Sequence, residues 1–111
     1  MALEKLSDGE KAATLQCLTA ILQGPFIEDF EFQTRLGVDR AKLRSVIEDW
    51  PNIGDREDGS IADLAIGNCF NELCNGLDIP PEEWTKWFTV SKPEVEQVWL
   101  RWTELKGLSQ A

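Results

Sequence analysis

The sequence predicts an all-α protein, a compact bundle of five or six helices around one core, on three observations. Apolar residues recur at helical three- and four-residue spacing in successive segments. No stretch shows the sustained period-two alternation of a β-strand. Capping residues, glycines and prolines separate the segments. The chain has 111 residues and 42% hydrophobic content, which fits a single domain over residues 1–111, with residues 1–6 and 108–111 expected to be flexible.

The first helix is predicted to begin after Ser7 and to end near Gln23. Ser7 and Glu10 have the spacing of a capping box, in which two side chains bind backbone amides left free at a helix start. Gly24 and Pro25 then stop the helix. Its apolar residues share one side: Leu15, Leu18, Ile21 and Leu22.

A second and a third helix, at about 27–36 and 40–50, predict helix-turn-helix-like geometry across residues 27–50. Gly37 stands at the turn, where it can adopt the left-handed conformation, and Asp39 can cap the third helix. Pro51 blocks further continuation. Five apolar positions surround the turn: Phe32, Leu36, Val38, Leu43 and Val46.

The fourth helix is predicted to start at Ser60, after a polar loop at 52–59, and to run to Asn75. Its apolar residues cover more than one stripe of the helical surface, so this helix should be the most central of the fold. They include Ala62, Ile66, Cys69, Phe70 and Leu73.

Two more helices are predicted in the last third of the chain. A short helix covers 82–88 after two prolines, which are tolerated in a first turn. Ser91 and Glu94 form a second possible capping box. The sixth helix then runs to Lys106, and Gly107 ends it. Trp50, Trp99 and Trp102 lie on core stripes and should be buried.

Net charge limits the classes of partner. The chain has 20 acidic and 11 basic residues, a formal charge of −9. Such a surface opposes broad affinity for nucleic acids and anionic membranes and favours association with basic partners. No apolar run is long enough to span a bilayer, and the N-terminus lacks the features of a signal peptide. We therefore expect a cytoplasmic protein.

Residue composition also excludes several chemistries. The chain has no histidine and no tyrosine, which removes histidine-dependent nucleophile pairs and acid–base catalysis. Cys17, Cys69 and Cys74 show no disulfide or zinc spacing and are expected to be small buried side chains. No glycine-rich phosphate loop is present. The expectation is a non-enzymatic protein without cofactor or metal.

Two sets of side chains are candidates for a protein interface. Asn68, Asn71 and Asn75 share a face of the fourth helix, where they either bond loop backbone inside the fold, the favoured interpretation, or line a binding surface with Glu72. Trp84 and Trp87 either pack over the core or leave an edge exposed as a partner anchor. The candidate interface residues are Asn68, Asn71, Glu72, Asn75, Trp84 and Trp87.

The third helix supports an alternative function. The window 35–44 contains four basic residues and one acid, a local charge of +3. A recognition helix reads bases mainly from its N-terminal half, which makes Arg40, Lys42, Arg44 and Ser45 candidate DNA contacts. Glu48 and Asp49 would point outward from the same helix and repel phosphates.

The leading hypothesis is therefore an acidic protein-interaction or regulatory module, including the special case of an inhibitor or immunity-type protein that covers a basic protein partner. The alternative is a helix-turn-helix transcriptional regulator that binds DNA through residues 40–45. A third class, an enzyme that uses carboxylates alone, would need a pocket that the sequence does not show.

Overall fold

The computed structural model describes residues 5–50 and 60–110, with side chains described as far as residue 107. The all-α prediction is confirmed: within these ranges the chain forms six α-helices and one π-helical turn, and no strand. The polar loop predicted at 52–59 lies outside the described residues. The elements are α1 (Asp8–Gln23), α2 (Asp29–Leu36), α3 (Arg40–Asp49), α4 (Ile61–Asn71), the π turn (Glu72–Gly76), α5 (Pro81–Trp87) and α6 (Lys92–Gln110).

The helix starts follow from the capping residues. The capping box before α1 is complete: the Glu10 amide donates to Ser7 Oγ at 3.1 Å, and the Ser7 amide donates to the Glu10 carboxylate at 2.8 Å. The side chains of Asp39, Ser60 and Ser91 each accept from the backbone N–H three residues ahead. These bonds satisfy amides that have no partner within their own helix.

Several predicted helix limits were wrong. α2 begins at Asp29, because Ile27 turns into the core before the helix starts. α6 continues through Gly107 to Gln110, since Gly107 does not adopt the positive φ that would end it. Leu6 is buried in the core, while the flexibility expected of residues 1–6 and 108–111 stays a prediction. Residues 1–4 and 111 lie outside the described residues.

α4 is the central helix, as predicted: it packs against α1, α2, α3 and α6. Phe70 on α4 contacts two tryptophans of α6: its ring centre lies 6.5 Å from that of Trp99 and 6.1 Å from that of Trp102. Trp102 is buried, whereas Trp50 and Trp99 are only partly buried against the core. None of the described helices combines the length and apolarity that crossing a bilayer requires.

An ion pair fastens α4 to α6. The Asp63 carboxylate and the Lys106 ammonium form a salt bridge, and both side chains are largely buried. The same ammonium lies 4.7 Å from the centre of the Trp102 ring, a cation–π contact. Gly67 also lies beside this ring: a Cβ at that position would make an ordinary van der Waals contact with Trp102 at 3.5 Å.

Candidate functional site

The turn between α2 and α3 is built as the sequence predicts. Gly37 has a φ of 73°, the left-handed conformation, and the five predicted apolar positions around it are all buried. Asn68 on α4 donates its amide N–H to the Leu36 carbonyl at 2.8 Å. This bond satisfies a carbonyl that the end of α2 would leave free. The turn is therefore docked on α4 through Asn68, which supports the intramolecular interpretation of that residue.

Arg40, the first candidate DNA contact, is engaged inside the protein. Its guanidinium donates to the Leu22 carbonyl at 2.6 Å, the Ile27 carbonyl at 2.9 Å and the Asp29 carboxylate at 2.7 Å. It also lies 4.3 Å from the centre of the Phe32 ring. One side chain thus joins the start of α3 to the end of α1 and the start of α2.

The other candidate DNA contacts, Lys42, Arg44 and Ser45, are exposed on α3. The Ser45 hydroxyl donates to the carbonyl one turn earlier in the same helix, at 3.2 Å. Glu48 and Asp49 are exposed too, as the helical wheel predicts. The exposed charges of α3 are therefore two cations followed by two anions, with no net charge.

The four candidate interface residues on and after α4 lie in different environments. Asn71 and Asn75 are exposed and hydrogen-bonded to each other at 3.2 Å. Glu72 is only 8% exposed, and its carboxylate accepts from the Arg35 guanidinium at 2.9 Å. Asn68 is bound at the turn. The four residues do not form one continuous outward surface.

The two candidate tryptophans of α5 occupy different environments. Trp84 is buried: its ring stacks on Phe88 at 4.2 Å, and its indole N–H donates to the Val90 carbonyl at 2.8 Å. Trp87 is partly buried and makes an edge-to-face contact with Phe26 at 5.9 Å. Both tryptophans therefore pack against the protein.

A cleft of about 470 Å³ opens beside Trp84, between α5, residues 88–91 and the first turn of α6. We call it the α5–α6 cleft. Five apolar side chains line it: Ile79, Pro81, Trp84, Phe88 and Val90. Polar groups from Thr85, Thr89, Ser91, Lys92 and Glu94 complete the lining. A mainly apolar cleft with a few polar groups is typical of a binding site.

A second, smaller depression of about 280 Å³ also has Ile79 in its lining. We call it the Phe26 depression. It is lined by Pro25, Phe26, Leu77, Asp78, Ile79, Pro80 and Glu83. Because Ile79 lines both hollows, they are adjacent on the surface. The sequence indicated Trp84 as a candidate but not these hollows. The only local signal was the pair of prolines, which stops the chain from forming a helix between the π turn and α5.

The three cysteines show no sign of a reactive site. Burial raises the pKa of the Cys17 and Cys69 thiols well above the ordinary value, with a smaller contribution from neighbouring thiols. Burial, reinforced by Glu96, raises the pKa of Cys74 to about 11. Thiols with raised pKa are poor nucleophiles at neutral pH. Among the residues that the structure describes, no three potential ligands group as a metal site would require.

No family model matches the chain, and neither a curated protein nor a solved structure shows significant similarity to it.

Proposed function

We propose that this protein is a non-enzymatic interaction module that binds a basic protein partner, with the surface around α5 as its contact region. The observation that carries the proposal is an apolar cleft in an acidic setting. The segment 77–96, which contains the lining of the α5–α6 cleft, has five acidic and two basic side chains, a net charge of −3. Apolar anchors supply affinity in such interfaces, while charge complementarity supplies association rate and specificity.

The geometry of α3 gives less support to a DNA-binding role. Arg40 makes three intramolecular hydrogen bonds, and the exposed cations Lys42 and Arg44 are balanced by Glu48 and Asp49. Affinity for DNA depends on neutralising several phosphates with exposed Lys and Arg. The acidic segment 77–96 therefore supports binding of a basic protein better than the exposed charges of α3 support binding of DNA.

The proposal includes an inhibitor or immunity-type protein as a special case, acting in the cytoplasm. In such a protein the acidic face would steer a basic target into contact and then cover its functional surface.

The test uses two charge-reversed variants of equal net charge. Asp78→Lys with Glu82→Lys changes the α5 side, and Glu48→Lys with Asp49→Lys changes α3; all four residues are exposed. Proteins captured from lysate at low salt by the immobilised wild type are purified, and their affinities are measured by calorimetry against NaCl concentration. We expect basic partners whose binding weakens with salt and is lost in the α5 variant but kept in the α3 variant.

A low-salt gel shift with genomic DNA fragments tests the alternative in the same samples. A sequence-specific complex that weakens in Arg44→Ala and strengthens in the α3 variant, with no basic protein bound, would overturn the proposal in favour of DNA binding.

A further inference from the structure

We propose that the α5–α6 cleft and the Phe26 depression form one two-pocket docking surface for a basic protein segment, which places one apolar side chain on each side of Ile79. This inference rests on the proposed function and specifies the part of the partner that is recognised.

The shape of the surface supports two anchor points. The hollows measure about 470 and 280 Å³ and share the Ile79 side chain as their common wall. The chain at this wall is extended between the π turn and α5, because Pro80 disfavours helical backbone at Ile79 and Pro81, the first residue of α5, disfavours it at Pro80. An extended or helical segment lying across this wall can direct separate side chains into the two hollows.

The lining favours apolar side chains in both positions. The polar atom of Trp84 is already satisfied by the Val90 carbonyl, so the ring presents apolar surface to the cleft. In the Phe26 depression, the edge-to-face contact with Trp87 holds the Phe26 ring in place. Apolar side chains that leave water for such hollows therefore favour binding.

The surface is also held in shape before any partner arrives. Gln16 on α1 bonds Thr89 twice: its amide nitrogen donates to the Thr89 hydroxyl at 2.7 Å, and its amide oxygen accepts from the Thr89 backbone at 3.1 Å. These bonds fasten the segment after α5 to the core helix α1. A preformed site avoids part of the ordering cost of binding.

Charge selects a basic occupant. Asp78 and Glu83 line the Phe26 depression, whereas the α5–α6 cleft is lined by both Glu94 and Lys92, so the excess of negative charge lies at the Phe26 depression and on the exposed Glu82 and Glu96. Of the two basic residues in this region, Lys86 is paired with Glu83 at 2.8 Å. Acidic peptides and anionic lipid surfaces would be repelled here, whereas lysine or arginine beside the apolar anchors would be attracted.

The test is a selection from a phage-displayed library of random 12-residue peptides, followed by affinity measurement on two matched variants. Thr85→Arg places a bulky cation in the cleft, while Thr103→Arg makes the same change on α6 outside both hollows. Both threonines are exposed, and the hydroxyl of each donates to a carbonyl of its own helix. Melting temperatures of the two variants establish that both are folded.

We expect the enriched peptides to carry net positive charge and two apolar residues. Thr85→Arg should weaken their binding about tenfold or more, a loss of about 1.4 kcal/mol, and Thr103→Arg should leave it unchanged. Peptide binding should also shift the indole N–H resonance of Trp84 in the wild type. Enrichment of neutral or acidic peptides, equal loss in both variants, or no enrichment overturns the inference.

Two further outcomes separate this inference from the proposed function. If basic proteins captured by the wild type bind Thr85→Arg equally well, the docking surface is wrong while the interaction function stands. If sedimentation shows a dimer that Thr85→Arg dissociates, the occupant is a second copy of this chain and the inference fails.

Discussion

Replacing Arg40 by alanine should destabilise the fold, because this side chain connects three helices. The substitution removes hydrogen bonds to the Leu22 and Ile27 carbonyls and the contact with the Phe32 ring. Two charge-assisted bonds contribute about 1.5 kcal/mol each, the low end of their range because the Arg40 side chain is 29% exposed, and the cation–π contact contributes about 0.5 kcal/mol. The bond to Asp29 adds little, because that carboxylate is 90% exposed. The expected loss is about 3.5 kcal/mol, a large part of the roughly 5–15 kcal/mol that stabilises a typical domain.

The assay is urea unfolding followed by tryptophan fluorescence, with Arg44→Ala as the matched control. Arg44 is exposed on the same helix, so its replacement should change the free energy of unfolding by less than about 0.5 kcal/mol. Arg40→Lys should recover only part of the loss, because one ammonium cannot reproduce the guanidinium fork. A surface substitution changes the free energy of unfolding by less than about 0.5 kcal/mol. If Arg40→Ala changes it by no more than that, the proposed role of Arg40 in the fold is refuted.

Three other predictions concern stability. Asn68→Ala leaves the carbonyl at the α2–α3 turn without its donor and should lower the free energy of unfolding by about 1 kcal/mol in urea; an unchanged midpoint would contradict the docking role. A Cβ at Gly24 would lie 2.6 Å from a backbone carbonyl oxygen, so Gly24→Ala should cost about 1–3 kcal/mol. Gly9→Ala, which meets nothing within 4 Å, should not lower the melting temperature. Burial raises the pKa of Cys17 and Cys69 above an ordinary value of 9.0. The protonated thiols therefore make their full contribution to the free energy of unfolding below pH 9, and this contribution is lost as the pH rises. The loss from these two thiols at pH 10 should be about 3 kcal/mol, and replacing both by alanine should remove it and leave only the smaller loss from Cys74, whose pKa is raised to about 11.

Local chemistry made the helix starts predictable from sequence. Ser7, Asp39, Ser60 and Ser91 each accept a backbone N–H a few residues ahead, so the necessary partners lie within one turn of chain. Gly37 was predictable for a similar reason, because the left-handed conformation favours glycine. The end of α6 was not, since Gly107 can continue a helix as well as stop one.

The candidate sites were less predictable because they depend on contacts between distant segments. Arg40 and Arg44 both lie in the basic first half of α3, and the sequence made both candidate DNA contacts. In the structure Arg40 donates hydrogen bonds to the Leu22 and Ile27 carbonyls, whereas Arg44 is exposed. The sequence placed Glu72 on the surface beside the asparagines. In the structure Glu72 is buried, and its carboxylate accepts a hydrogen bond from Arg35, which is 37 positions away in the chain. Helical spacing gives the direction of a side chain and does not give the partner that it meets.

The sequence by itself determined an all-α fold, the capped helix starts, the glycine turn between α2 and α3, and the acidic charge. These features follow from interactions within a few residues and from composition. Only the tertiary structure decided that the arginine at the start of α3 supports the core, and that segments on both sides of α5 enclose two adjacent apolar hollows. The physical reason is that a hollow and an internal ion pair are created by packing, which brings together residues that no local pattern connects.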